Sequence, residues 1–127
     1  MAIPKRRKLS KEERMKVYEK CQGHCAYCGC TLEYKDMQVD HVKPVYRGGE
    51  DDISNMLPAC RSCNHYKSTL KPEEFKKYLS EIPKRLMRDC IPFQVGKRFG
   101  IIGTITDDVI FYYERVKKRE MRRNNHE

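Results

Sequence analysis

The sequence contains no tryptophan, only four phenylalanines, and no long apolar run. A membrane-spanning helix needs roughly 18 or more consecutive apolar residues, and none is present. The basic start, Met1 to Lys8, is not followed by an apolar stretch, so it does not read as a secretory leader. These absences lead to the expectation of a soluble protein in a reducing compartment. Internal repeats and low-complexity linkers are lacking as well. Hydrophobic residues make up 39% of 127, enough for one thin core. Small domains of this kind commonly need a staple.

Acidic residues are outnumbered, 18 against 27 Lys and Arg, leaving a net charge of +9. Such a chain attracts polyanions. The cations concentrate at the two ends, at Lys5-Arg6-Arg7-Lys8 and at Lys117-Lys118-Arg119 with Arg122-Arg123.

Cysteine supplies the staple. There are seven, and an odd number cannot all pair within one chain. Four form two Cys-x-x-Cys pairs, Cys25 with Cys28 and Cys60 with Cys63. Two thiolates two residues apart can grip one tetrahedral ion, and four close its coordination sphere. The reading is a structural Zn²⁺ at Cys25, Cys28, Cys60 and Cys63. Cys30 is a competing ligand by position, and Cys21 reads as a buried apolar residue. Thiol redox chemistry is the weaker alternative, because one pair suffices for it and no βαβ pattern is visible.

Several elements can be placed from pattern. Ser10 and Glu13 form a capping box for a helix over 11–22, with Val17, Tyr18 and Cys21 on one face and Gly23 as its stop. Residues 34–42 include a short alternating stretch, with Met37 and Val39, that reads as a strand ending at Asp40-His41, after which Pro44 and Gly48-Gly49 impose a loop. Asp51-Asp52 caps a turn through Asn55, and a short helix starts near Asn64. Pro72 opens a longer helix whose apolar face is Phe75, Tyr78, Leu79 and Ile82. The β-branched stretches 99–105 and 109–113 read as a hairpin around Asp107-Asp108, with a helix capped by Asp107 and running to the C-terminus as the alternative. Phe111, Tyr112 and Tyr113 are read mainly as core, with base stacking as the other option. The expected division is a basic flexible arm at 1–9, a core with flanking helices at 10–90, and an extension with a basic tail at 91–127.

Between and after the cysteine pairs lie Asp40-His41-x-x-Pro44, Gly48-Gly49, Asn55-x-Leu57, and Asn64-x-x-Lys67. With the cysteines, this pattern resembles the HNH endonuclease motif, in the cysteine-bearing branch of the ββα-metal nucleases. The match covers about a third of the chain. The resemblance implies an α+β fold built on a small ββα-metal core, and a divalent-metal-dependent DNA endonuclease that hydrolyses phosphodiester bonds. It implies His41 as general base and Asn55 as the residue that holds the loop and orients it. Asp40 and Asn64 would bind a catalytic Mg²⁺, Mn²⁺ or other divalent ion. His65 is a further candidate, one residue beyond the expected position. Lys67, Arg47 and Arg61 are candidate phosphate contacts. The implied partner is DNA, without a membrane, and the format looks like that of phage or mobile-element proteins working within larger machinery, which implies the cytoplasm of a bacterial or phage-infected cell. The rival from another class is a non-catalytic zinc-ribbon DNA-binding module, which would share the cysteines and basic tails but has no use for Asp40, His41 and Asn64 together.

Overall fold

A computed structural model describes residues 8–103, 106 and 108–125. Two compact units emerge. One comprises the described residues of Met1–Pro72 and Ile110–Glu127, the other Glu73–Val109. The last helix therefore packs with the first unit and does not continue a separate extension from residue 91.

The first unit begins with α1 (Lys11–Glu19). The Ser10 hydroxyl accepts from the Glu13 N–H, and the Glu13 carboxylate accepts from the Ser10 N–H. This closes the expected capping box and satisfies two orphan amides. Val17 and Cys21 are buried, as the helical spacing required. Leu9 packs on the same cluster of Val17, Leu32, Met37 and Met56. That end of the expected arm is thus anchored, while residues 1–7 lie outside the described set.

Two four-residue strands follow, β1 (Gln38–His41) and β2 (Met56–Ala59), paired antiparallel with Asp40 opposite Leu57 and His41 opposite Met56. The sequence showed β1 ending where it does. It did not show β2, because Pro58 argues against a strand. The structure resolves this with Pro58 opposite Val39 on a sheet of only two strands, where its missing N–H costs no central ladder bond. The Pro58 carbonyl accepts from the Ala26 N–H at 2.8 Å, tying the sheet to the first cysteine pair.

The loop between the strands is tight. Gly48 has φ +91°, a left-handed conformation that glycine adopts freely. A Cβ at Gly49 would lie 1.8 Å from the Lys43 carbonyl oxygen, so no other residue fits there without moving the backbone.

Helix α2 (Arg61–Lys67) completes the ββα core. It starts three residues earlier than its polar sequence suggests because its cap is a cysteine. Cys60 Sγ accepts from the Cys63 N–H at 3.4 Å, a role normally filled by Ser, Thr, Asp or Asn.

The second unit contains α3 (Pro72–Ser80) from its second residue, α4 (Ile82–Asp89) and α5 (Ile91–Arg98). Pro83 and Pro92 are the second residues of α4 and α5, within the first turn, where the absent N–H is not missed. Phe75 is fully buried, and Gln94 donates to the Met87 carbonyl at 2.7 Å.

The expected C-terminal hairpin is not found among the described residues. Among the described residues, 99–103 and 108–111 contain no strand, and Tyr112 and Tyr113 open α6 (Tyr112–Asn125). Residues 104, 105 and 107 of that expectation lie outside the described set. The physical reason is competition for the aromatic run. Phe111 is buried edge-on against Tyr27, with ring centres 5.0 Å apart. The N–H groups of Tyr112 and Tyr113 donate to the Tyr27 and Ala26 carbonyls at 3.1 and 2.8 Å. The Glu114 carboxylate accepts from the Phe111 N–H at 3.0 Å. Local strand preference yields to this docking. No helix among the described residues is long and apolar enough to cross a membrane.

Candidate active site and metal cluster

The cysteine pairs meet where the 25–30 turn abuts the start of α2. The Sγ atoms of Cys25, Cys28, Cys60 and Cys63 all lie within 4.8 Å of one another, and Cys28 and Cys60 are 3.9 Å apart. A tetrahedron with metal–sulfur bonds of about 2.3 Å has edges of about 3.8 Å. The four sulfurs therefore fit one metal ion. Their mutual electrostatics call for a cation as well. The Cys63 thiol donates toward Cys25 and, despite burial, holds the Cys25 thiol down at about 4. The same contact pushes Cys63 far above the usual thiol value. Without a positive charge at the centre, one thiolate suppresses the next. Cys30 borders the cluster but is not one of its four corners, and desolvation followed by its contact with Cys28 raises it to about 12. Cys21 is buried as a neutral thiol, pushed up to about 11 by that burial.

The sheet, the loop and α2 enclose a cleft of about 180 Å³ whose lining includes Asp40, His41, Pro44, Asn64 and Thr69. The structure thus brings together the three residues the sequence singled out for chemistry. Asn64 comes from α2 and is half-buried. Its side-chain amide makes no hydrogen bond among the described residues, leaving its oxygen available to a ligand. His65 is exposed and does not line the cleft.

His41 is buried at the end of β1. Its Nε2 lies 2.8 Å from Asp51 Oδ1, and its Nδ1 is buried with no protein partner among the described residues. An ionised carboxylate only accepts hydrogen bonds. In the neutral ring the proton therefore resides on Nε2, and the lone pair is on Nδ1. Asp51 was missed by sequence reasoning, which assigned it only to a turn. Its position ten residues past His41 across a Gly-Gly loop carries no local signal, and only loop closure brings the two together.

Asn55 performs the structural half of its expected role. Its amide accepts from the Lys43 N–H at 3.0 Å and donates to the Lys43 and Glu50 carbonyls at 2.9 and 2.8 Å. It thereby clamps the loop on which Asp51 and Pro44 sit. Its contacts are with backbone and not with the His41 ring, so its influence on His41 passes through the loop.

Lys67 corrects the sequence reading outright. Expected on the surface as a phosphate contact, it is completely buried. Its ammonium pairs with Asp40 at 3.2 Å and donates to the His41 carbonyl at 3.1 Å. Tyr27 Oη also donates to Asp40 Oδ2. Burial pushes the Asp40 carboxyl above its usual value against the opposing pull of Tyr27 and Lys67. Lys67→Met should therefore cost about 3–5 kcal/mol, the range for breaking a buried ion pair from one side. In that variant the Asp40 pKa rises further above its unfolded value. The penalty is present above the folded pKa and fades as pH falls through it. Urea unfolding at pH 7 and pH 5 checks this, with a smaller deficit expected at pH 5. An equal deficit at both would show that the pair is not the source.

Of the other proposed phosphate contacts, Arg61 is exposed at the first residue of α2. Arg47 is exposed and donates to the Thr69 carbonyl at 3.4 Å, which places it beside a residue of the cleft lining.

The family model described as HNH endonuclease matches residues 25–69. Over this segment the chain is similar to the HNH endonuclease family. The matched segment runs from the first cysteine of the cluster through β1, the loop, β2 and α2, so the HNH-like segment and the ββα core coincide. YoqL, an SPbeta prophage-derived protein of Bacillus subtilis (strain 168) named for an HNH endonuclease, is 34% identical over 70 residues, which is 46% of this chain and 30% of the relative. The chain thus aligns with under a third of that relative's length. Among solved structures, the Type II-C Cas9 enzyme from Actinomyces naeslundii is similar at 22% identity with a TM-score of 0.49, covering 74% of this chain and 11% of that one.

Proposed function

We propose that this chain is a divalent-metal-dependent DNA endonuclease that hydrolyses phosphodiester bonds with His41 as general base. The observation that carries the reading is the tether of His41 Nε2 to Asp51, which leaves the Nδ1 lone pair without a protein partner, among the described residues, on a residue that lines the cleft with Asp40 and Asn64. A neutral imidazole with its other nitrogen fixed is suited to taking a proton from water. Asp40 and Asn64 offer one carboxylate and one amide oxygen, a donor set for a hard ion such as Mg²⁺ or Mn²⁺. Such an ion, when bound, polarises the phosphoryl oxygen and stabilises the departing alkoxide. Lys67 and Tyr27 fix the Asp40 carboxylate, and Asn55 fixes the loop that carries Asp51.

The four-cysteine cluster is assigned to Zn²⁺ with a folding role, since a closed sulfur sphere leaves no position for substrate. DNA is the substrate that fits a net charge of +9 and the HNH match. A prophage origin in the relative fits a role beside phage or mobile-element machinery in the cytoplasm. The binding-module alternative gives no reason for a buried His–Asp pair beside a second set of oxygen donors.

The test is nicking or linearisation of supercoiled plasmid across Mg²⁺, Mn²⁺ and other divalent ions, with zinc already bound. Cleavage dependent on the added ion is expected. Binding without cutting under every ion would return the protein to the zinc-ribbon class. Asp51 gives a sharper measurement. Asp51→Ala should lower kcat by at least about tenfold by releasing the ring tautomer, with KM for DNA little changed. The imidazole ¹⁵N spectrum should show the His41 proton leaving Nε2. Asp51→Asn, which can still accept from Nε2, should retain more activity. Unchanged kcat in Asp51→Ala would remove Asp51 from the reaction.

A further inference from the structure

We propose that the outer face of α6 is a contact ridge for the phosphate backbone of duplex DNA. The proposal rests on the DNA reading of the site and adds a binding surface outside the HNH segment.

The helix has a defined inner face. Tyr113, Val116, Lys117 and Glu120 line a cavity shared with Lys20, Cys21 and Leu57. These four follow the i, i+3, i+4, i+7 spacing of one helical stripe. At 100° per residue, the opposite stripe holds Arg115, Lys118, Arg119 and Arg122. All four are exposed, all are cations, and no acidic residue falls on that stripe. Glu114 is at the flank and bonded to the Phe111 N–H, while Glu120 is on the inner face. A generic solvated helix mixes charge signs for solubility. Here the acids are segregated from the outward stripe.

The base of the ridge is rigidly seated. Its first residues bond to Tyr27 and Ala26, between the cysteines of the first pair, and Tyr112 packs on His24 with ring centres 5.0 Å apart. From Arg115 to Arg122 the stripe spans about 10 Å at 1.5 Å per residue. Duplex DNA presents one negative charge per about 1.7 Å of axis, so several phosphates lie within that span. Long flexible cations on a fixed helix position a duplex without reading its sequence.

The test measures binding to a labelled 20-base-pair duplex in the His41→Ala background without added divalent ion, from 50 to 200 mM salt. The ridge variant carries Arg115→Gln, Lys118→Gln, Arg119→Gln and Arg122→Gln. A control carries Lys11→Gln, Lys16→Gln, Lys77→Gln and Lys84→Gln, equal in net charge and on other exposed positions. Loss of four phosphate contacts lowers the slope of log K against log salt by about 3.6, which is on the order of a hundredfold across this salt range. The expected result is that loss in the ridge variant, a much smaller one in the control, and recovery when Arg115, Arg119 and Arg122 are changed to Lys instead. In the otherwise parental chain, ridge neutralisation should raise KM and spare kcat at saturating DNA. Equal losses in ridge and control variants, or an unchanged slope in the ridge variant, would overturn the ridge while leaving the nuclease reading in place. Failure of the parental chain to bind or cut duplex DNA would overturn both.

Discussion

His41→Ala is expected to reduce single-turnover DNA cleavage by about 10²–10⁴-fold, the usual worth of a positioned general base. The ring sits in the cleft with Asp40 and Asn64, and its Nδ1 has no protein partner among the described residues to compete for the proton. Zinc content should stay at one equivalent, because none of the four cysteine ligands touches the ring. Duplex affinity should change little, since the ring is buried and carries no contact to a surface phosphate. The truncation removes the contact between His41 and Asp51 and leaves a void in the β1 end, so some thermal stability will be lost. His41→Gln, which keeps a polar side chain of similar reach, separates this cost from chemistry. Both variants should be inactive at temperatures well below their melting points. Cleavage by either at the parental rate would remove His41 from the role of base.

The second large effect concerns the cysteine cluster. Cys60→Ser is expected to abolish zinc retention and to unfold the first unit at 25 °C. Structural zinc in small domains supplies about 10–16 kcal/mol of apparent folding free energy. A domain's whole stability is about 5–15 kcal/mol, so the fold should not survive the loss. Cys60 is the most sensitive corner because it has two jobs: it contributes a sulfur to the cluster, and it caps α2 by accepting from the Cys63 N–H. Helix α2 carries Asn64 into the cleft and Lys67 onto Asp40. Loss of its first turn would therefore remove a candidate metal ligand and uncover a buried carboxylate together. The measurement is zinc stoichiometry alongside far-ultraviolet circular dichroism. Cys90→Ser, outside the cluster, serves as the control and should keep both signals. A Cys60→Ser protein with native dichroism and no zinc would show that the cluster does not hold the fold.

These predictions depend in different measure on what could be read without coordinates. The ligands of the cluster were legible because a tetrahedral thiolate site leaves a spacing in the chain. The α1 cap was legible because Ser10 and Glu13 satisfy amides three residues apart. The end of β1 at Asp40-His41 was legible from the Pro and Gly-Gly that follow, and Gly49 proves to be required by its approach to the Lys43 carbonyl. Each of these is a local constraint, decided within a few residues.

What the sequence could not decide were the contacts that close over distance. Pro58 hid β2, since its edge position is a property of the sheet and not of the residue. Cys60 hid the start of α2, because a sulfur bound for a cluster is not among the usual caps. The run 109–113 satisfied strand and helix patterns alike, and the choice fell to Phe111 docking on Tyr27. Lys67 looked like a surface cation until its ammonium was found against Asp40, where burial makes the pair mutually dependent. Asp51 acquired significance only when the loop clamped by Asn55 folded back onto His41. The sequence by itself determined which residues are chemically equipped and which ions they suit. Tertiary structure decided which of them face one another, because burial and hydrogen-bond partners arise from segments far apart in the chain.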